Sequence, residues 1–210
     1  MNVPVTLRVV ALALMCAALP AHAQRAPLTA ADLPAKLSPN VRQVIARLGD
    51  SLRAERLPDE PLYAKAAEGV LKGAAETRIL GAVRALARNL GEARDALGSG
   101  ADAADLVAGA SALHEGATPA MLIQLRDAHR GAGAREPSLA TPLVALVDLL
   151  ARHVPPATAA SAIDALVARR APSEDFAALR AGVAQDIFAG QTPEAAVTQR
   201  MKNIEARPRP

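Results

Sequence analysis

Residues 72–90, KGAAETRILGAVRALARNL, hold one turn and one helix face. Lys72-Gly73-Ala74-Ala75-Glu76 is a break, with Gly73 in place to take the left-handed backbone that ends a helix. Beyond it, Ile79, Val83, Leu86 and Leu90 recur at i, i+4, i+7 and i+11. That spacing draws a single apolar stripe down a 3.6-residue coil.

The same two features repeat outward along the chain. Glu115-Gly116-Ala117-Thr118-Pro119, His153-Val154-Pro155-Pro156 and Ala189-Gly190-Gln191-Thr192-Pro193 are versions of the turn. Gly73 and Gly116 stand 43 positions apart, Gly116 and Gly190 stand 74 apart, and His153 lies halfway between the last two. Apolar stripes flank each turn: Val41, Val44, Ile45, Leu48 and Leu52 first, then Leu139, Leu143, Leu146, Val147 and Leu150. Phe176, Leu179, Val183 and Ile187 follow, and Val197, Met201 and Ile204 close the series. No segment shows sustained period-two alternation with β-branched enrichment, so no sheet is expected.

Helix starts are marked by a capping hydroxyl before a proline, at Ser38-Pro39, Thr118-Pro119, Thr141-Pro142 and Thr192-Pro193. The hydroxyl accepts from an orphan N–H of the first turn, and proline at the first helical position has no N–H to leave unpaired. Asp59 and Ser173, each followed by acids, are weaker versions. Leu57-Pro58-Asp59 joins a helix over 39–55 to one over 60–72. Longer breaks fall at Gly98-Ser99-Gly100, at 131–138 and at Arg170-Ala171-Pro172.

The expected fold is therefore all-α: an array or bundle of antiparallel helical hairpins with about nine helices, of which a short α-solenoid is one form. The general plan resembles tetratricopeptide and related helical-hairpin arrays. The period and the missing Trp and Tyr positions depart from the tetratricopeptide consensus, so no residue roles carry over. The hairpin-repeat domain spans 38–206, with 131–138 as a hinge between halves. Residues 24–37, with two prolines and no periodicity, are expected to form a flexible lead, and 207–210, Arg-Pro-Arg-Pro, a disordered tail.

The N-terminus has the layout of a signal peptide. Arg8 is the only side-chain charge before the apolar run Val9–Leu19, which is too short to span a bilayer as a helix. Pro20 breaks the run, and Ala21-His22-Ala23 supplies the small residues a signal peptidase requires, placing cleavage after Ala23. Cys16 has Met15 before it, where a lipoprotein signal needs a small residue. Cleavage removes Cys16 and leaves a mature chain without thiol or disulfide chemistry. The expected compartment is the bacterial periplasm or the exterior, with no transmembrane segment in the mature chain.

Composition excludes several classes of function. Losing residues 1–23 removes Arg8 and no acid, so 24 basic residues become 23 against 21 acidic, a net +2. Acids and bases interleave along the helices, which describes a solvated surface and not a nucleic-acid footprint. Tyr63, Phe176 and Phe188 are the only aromatics, too few for sugar platforms, base stacks or aromatic cages. The core must be Leu, Val, Ile and Ala.

No catalytic, cofactor or metal motif emerges. His114-Glu115 begins like a zincin helix, but Gly116 ends the helix and Thr118 replaces the second histidine. Asp127 and His129 fall on different helical faces, and His153 suits a helix C-terminus. Ser99 between two glycines lacks the strand of a nucleophile elbow, and Gly131-Ala132-Gly133 lacks the strand, third glycine and lysine of a phosphate loop. Asp148 and Asp164 and Asp186 sit within helices beside apolar residues, with Arg152 one turn beyond Asp148.

One cluster is a candidate for binding a partner: Lys65, Glu68, Lys72, Arg78, Arg84 and Arg88, on the two helices flanking Gly73. Brought together in a groove, they would grip an acidic peptide or a lipid headgroup. The expected function is that of an exported, non-catalytic protein-binding or scaffolding module whose partner is another envelope protein or peptide. An envelope chaperone and a helical enzyme with an acid/arginine site are the alternatives. The enzyme would need a deep pocket holding at least two of Asp148, Asp164, Asp186 and the histidines.

Overall fold

The computed structural model describes residues 27–133 and 138–206. The signal peptide assigned to 1–23, the centre of the 131–138 span and the tail at 207–210 lie outside the described residues. Among those residues there are nine α-helices and no strand. They are α1 (Pro39–Ala54), α2 (Glu60–Leu71), α3 (Glu76–Leu97), α4 (Ala103–His114), α5 (Pro119–Ala132), α6 (Ala140–Ala151), α7 (Pro156–Ala168), α8 (Ser173–Phe188) and α9 (Pro193–Glu205).

Six helices end in the same way. Gly73, Gly116 and Gly190 have φ of +67°, +103° and +94°. After each, an amide reaches back to close the turn: Ala74 N to Gly69 O, Ala117 N to Ala112 O and Gln191 N to Asp186 O, all at 2.9 Å. Arg56, His153 and Arg170 do the same work with side chains present, at φ of +59°, +62° and +54°. The corresponding bonds run from Leu57 N to Leu52 O, Val154 N to Leu149 O and Ala171 N to Leu166 O. This closure satisfies a carbonyl that a helix end otherwise leaves open, and Leu57 and Val154 tuck into the core as they close it. A left-handed conformation costs a residue with a Cβ about 1–2 kcal/mol, while glycine loses more chain entropy on folding. His153→Gly is therefore expected to raise stability by roughly 0.5–1 kcal/mol, read as a higher denaturation midpoint with an unchanged slope.

Named contacts fix the direction of the helices. Ser38 at the start of α1 meets Glu76 at the start of α3. Arg126 of α5 donates to Ala96 O near the end of α3, Gln124 of α5 donates to Asp164 of α7, and Arg169 beside the end of α7 donates to Ile204 O near the end of α9. The odd-numbered helices thus run parallel in one row. α4, α6 and α8 pack in a second row, which runs opposite because short turns join the rows. The core between the rows is Leu, Val, Ile and Ala, with Tyr63 and Phe176 as its only buried aromatics among the described residues. Burying one such aliphatic side chain stabilises the fold by about 1.5–3 kcal/mol.

Several local expectations differ from what is found. Asp59 makes no side-chain cap bond to α2 and instead accepts from Arg53 and Tyr63, and Ser173 lies inside α8 behind Pro172 without capping it. Residues 27–37 are not a loose lead: Ala30–Asp32 form a 3-10 turn held by a Thr29–Asp32 capping box, and Leu33 and Leu37 are buried. These leucines have no helical period because they anchor an irregular segment against the core. Ser38 does not cap α1; its amide and hydroxyl instead donate to Glu76 at 2.5 and 2.9 Å. Thr141 does not open α6, which begins at Ala140 with Ser138 Oγ accepting from Ala140 N at 3.1 Å. The 131–138 span is helical through Ala132, and Ser138 Oγ and Leu139 N donate to Asp105; residues 134–137, where the hinge is expected, lie outside the described residues. Thr118 and Thr192 cap α5 and α9 as expected.

Candidate functional site

On α2, Lys65, Glu68 and Lys72 share one face. Lys65 Nζ lies 3.1 Å from Glu68 Oε2, and Lys72 Nζ binds the other carboxylate oxygen. The hydrogen bond from Lys72, then that from Lys65, hold the Glu68 carboxyl down to about 2 from 4.5. A depressed carboxylate contributes stability above its unfolded pKa and loses it as pH falls through the folded one. The deficit of Glu68→Gln relative to the parent chain should therefore be complete above about pH 4.5 and vanish towards pH 2, read from paired thermal melts. The group is 42% exposed, so added salt should shrink the difference.

The remaining members of the strip do not join it. Arg78, Arg84 and Arg88 are all exposed on α3. The face of α3 turned towards Lys65 carries Ala82, Leu86 and Asn89. Arg84 and Arg88 stand two positions either side of Leu86, about 160° around the coil from it. The six residues thus split into an ion cluster on α2 and separate arginines on α3, because i, i+4 spacing fixes a common face but not which face meets the neighbour.

Lys65 instead opens onto a cleft of about 340 Å³. α4 packs on α6 and α6 on α8, but α2 stands off from α4. The gap is floored by Ala82 and Leu86 and walled on the far side by Val107 and Ala110, with Ser111, His114 and Glu115 along the α4 rim. Asn89 Nδ2 donates to Ala110 O at 3.3 Å, and Ser111 Oγ donates to Val107 O at 2.9 Å. A larger cavity of about 610 Å³ opens where α5 and α7 end and α6 and α8 begin. Its polar lining includes His129, Ser138, Thr141, Arg170 and Glu174.

The three aspartates considered for acid/base chemistry serve three different helix seams. Asp148 takes Arg152 Nε and Nη2 at 3.1 and 3.2 Å, and Arg180 of α8 at 3.6 Å. Asp186 takes Arg200 of α9 through two bonds of 2.6 and 2.5 Å, and the hydrogen bond from Arg200 holds its carboxyl below the usual range. Asp164 accepts from Gln124 Nε2 at 2.7 Å, and burial pushes its carboxyl up. None of the three lines either cavity, and the two cavities hold one of the histidines each. The convergent pair that the enzyme alternative requires does not form there. Among the described residues no three His, Cys, Asp or Glu side chains are placed to hold a metal ion.

Asp105 is the residue that sequence reasoning missed. It is 2% exposed and completes a capping box with Asp102 at the start of α4. Its Oδ1 also accepts from Ser138 Oγ at 2.8 Å and from Leu139 N at 2.7 Å. Asp102-x-x-Asp105 after a glycine break was a legible cap; the bond to a loop 33 positions away had no local signal.

No helix among the described residues is long and apolar enough to cross a membrane. No family model matches the chain, and no curated protein or solved structure matches it significantly.

Proposed function

We propose that the mature chain is an exported, non-catalytic binding or scaffolding module of the bacterial periplasm, acting on another envelope protein or peptide. The observation that carries this is the break in the even-numbered row: α4, α6 and α8 close on one another, while α2 stands off and leaves an apolar cleft with charge on both rims. Asp148 and Asp186 are engaged by arginines, Asp148 by Arg152 one turn on and by Arg180 of α8, and Asp186 by Arg200 of α9, where they stiffen the array. A stiff surface with a cleft suits recognition better than turnover.

The test is in-cell crosslinking of a tagged full-length chain, with intact mass to read the N-terminus. The expected result is a chain beginning at Gln24 and one abundant envelope partner. Retention of residues 1–23 would remove the export reading, and a small-molecule turnover with no crosslinked partner would remove the module reading. A second reading, a chaperone-like protein, draws on Leu71 and Phe188, which are 88% and 94% exposed at the ends of α2 and α8. It requires that the purified chain suppress aggregation of an unfolding client, and that Phe188→Ser abolish the effect.

A further inference from the structure

The cleft between α2 and α4 has an electrical direction as well as an apolar floor. On the α2 side its charged group is Lys65. Lys65 shares Glu68 with Lys72, so it can turn to a new anion while Glu68 keeps a cation. A lysine also carries three donors, of which Glu68 takes one. The α4 side is rich in acceptors. Glu115 stands at the mouth, and Ser111, having given its proton to Val107 O, has only lone pairs to offer. His114, beside Glu115, is the remaining titratable group on that rim. The floor of Ala82, Leu86, Val107 and Ala110 has no use for charge.

We infer that this cleft docks a short peptide segment of the partner, apolar in its middle, with a carboxylate directed at Lys65 and a basic or N–H donor group directed at Ser111 and Glu115. The inference rests on the module reading above and names the chemistry of its partner. The volume fits a segment of a few residues, and the opposed rim charges set which way round it lies. A fatty acid satisfies the floor and Lys65 but makes no use of Glu115 and Ser111, which stay with water. A wholly acidic segment places a carboxylate against Glu115.

The test uses the isotopically labelled mature chain and four N-acetylated, C-amidated tetrapeptides, Glu-Leu-Leu-Lys, Lys-Leu-Leu-Glu, Glu-Leu-Leu-Glu and Lys-Leu-Leu-Lys, with decanoate as a lipid arm. One of the two mixed-charge peptides should shift the amides of Lys65, Leu86 and Ser111 and bind at least about fivefold tighter than either single-sign peptide. Lys65→Glu and Glu115→Lys should each remove that preference. Ser111→Leu, which fills the cleft without touching either charge, should abolish the shifts while the chain keeps its melting temperature. Shifts centred elsewhere, equal affinity for all four peptides, no binding at millimolar concentration, or decanoate alone occupying the cleft would each overturn the inference. An in-cell partner that stays crosslinked to Lys65→Glu would remove the cleft as its site and leave the module reading intact.

Discussion

Asp105→Ala is expected to destabilise the chain by about 3 kcal/mol, the sum of several charged hydrogen bonds lost and a buried amide left without an acceptor. In a chain of this size that is a drop in melting temperature of roughly 6–12 °C. The carboxylate sits in the first turn of α4, where the helix dipole favours an anion, and it accepts from Asp102 N, Ser138 Oγ and Leu139 N. Leu139 is buried, so its N–H cannot turn to water once the carboxylate is gone. Because these bonds join the start of α4 to the start of α6, the loss should also loosen the seam between α4 and α6. Hydrogen exchange at Leu139 and Leu143 should rise more than at Ile45 in α1. Asp102→Ala, which removes only a cap, should cost about 1 kcal/mol. If Asp105→Ala proved no worse than Asp102→Ala, the long-range bonds would be incidental.

What could be read from the sequence follows the range of the interactions. The left-handed ends at Gly73, Gly116 and Gly190 are decided within six residues, and so are the stripe through Ile79, Val83, Leu86 and Leu90 and the caps at Thr118 and Thr192. All of these were legible. The failures share a dependence on a distant partner. Thr141-Pro142 has every local mark of a helix start, yet Ser138 supplies the hydroxyl and Asp105 binds the adjacent amide from another helix. Ser38 has the same marks and is drawn off by Glu76. Leu33 and Leu37 fall in a stretch with no period, and their burial comes from packing against the helical core, with α1 in contact with the 30–32 turn. That Lys65, Glu68 and Lys72 do not share a groove with Arg78, Arg84 and Arg88 has a related reason. Period identified which residues share a face, but the rotation of α2 against α3 depends on contacts between the helices, such as Ile79 seated against Gly69.

Gly49→Ala offers the sharpest opposition between local and tertiary rules. Alanine in a helix interior is better than glycine by about 1 kcal/mol, so α1 taken alone should gain. In the folded chain a Cβ at position 49 would stand 2.0 Å from the Tyr63 hydroxyl oxygen and 2.8 Å from the ring carbon bearing it. Tyr63 is 1% exposed, and its hydroxyl donates to Asp59 Oδ2 at 3.1 Å, where Arg53 Nη2 also donates at 2.6 Å. Burial, then the hydrogen bond to Asp59, pushes the Tyr63 pKa up, so the hydroxyl stays a donor at neutral pH. The ring cannot swing away without leaving that carboxylate, and the backbone of α1 cannot retreat without opening the core around Ile45 and Leu52. The expected net cost is about 2–3 kcal/mol. Tyr63→Phe removes the atom at 2.0 Å and keeps the one at 2.8 Å, so in that background the alanine should cost roughly half as much. In a Tyr63→Leu background the obstruction disappears and Gly49→Ala should become neutral or stabilising, as helix propensity alone dictates. The reversal of sign, measured by denaturant unfolding of the four chains in that cycle, is the decisive quantity. A penalty unchanged by Tyr63→Leu would mean that the close approach of α1 and α2 is set by the backbone and not by this ring.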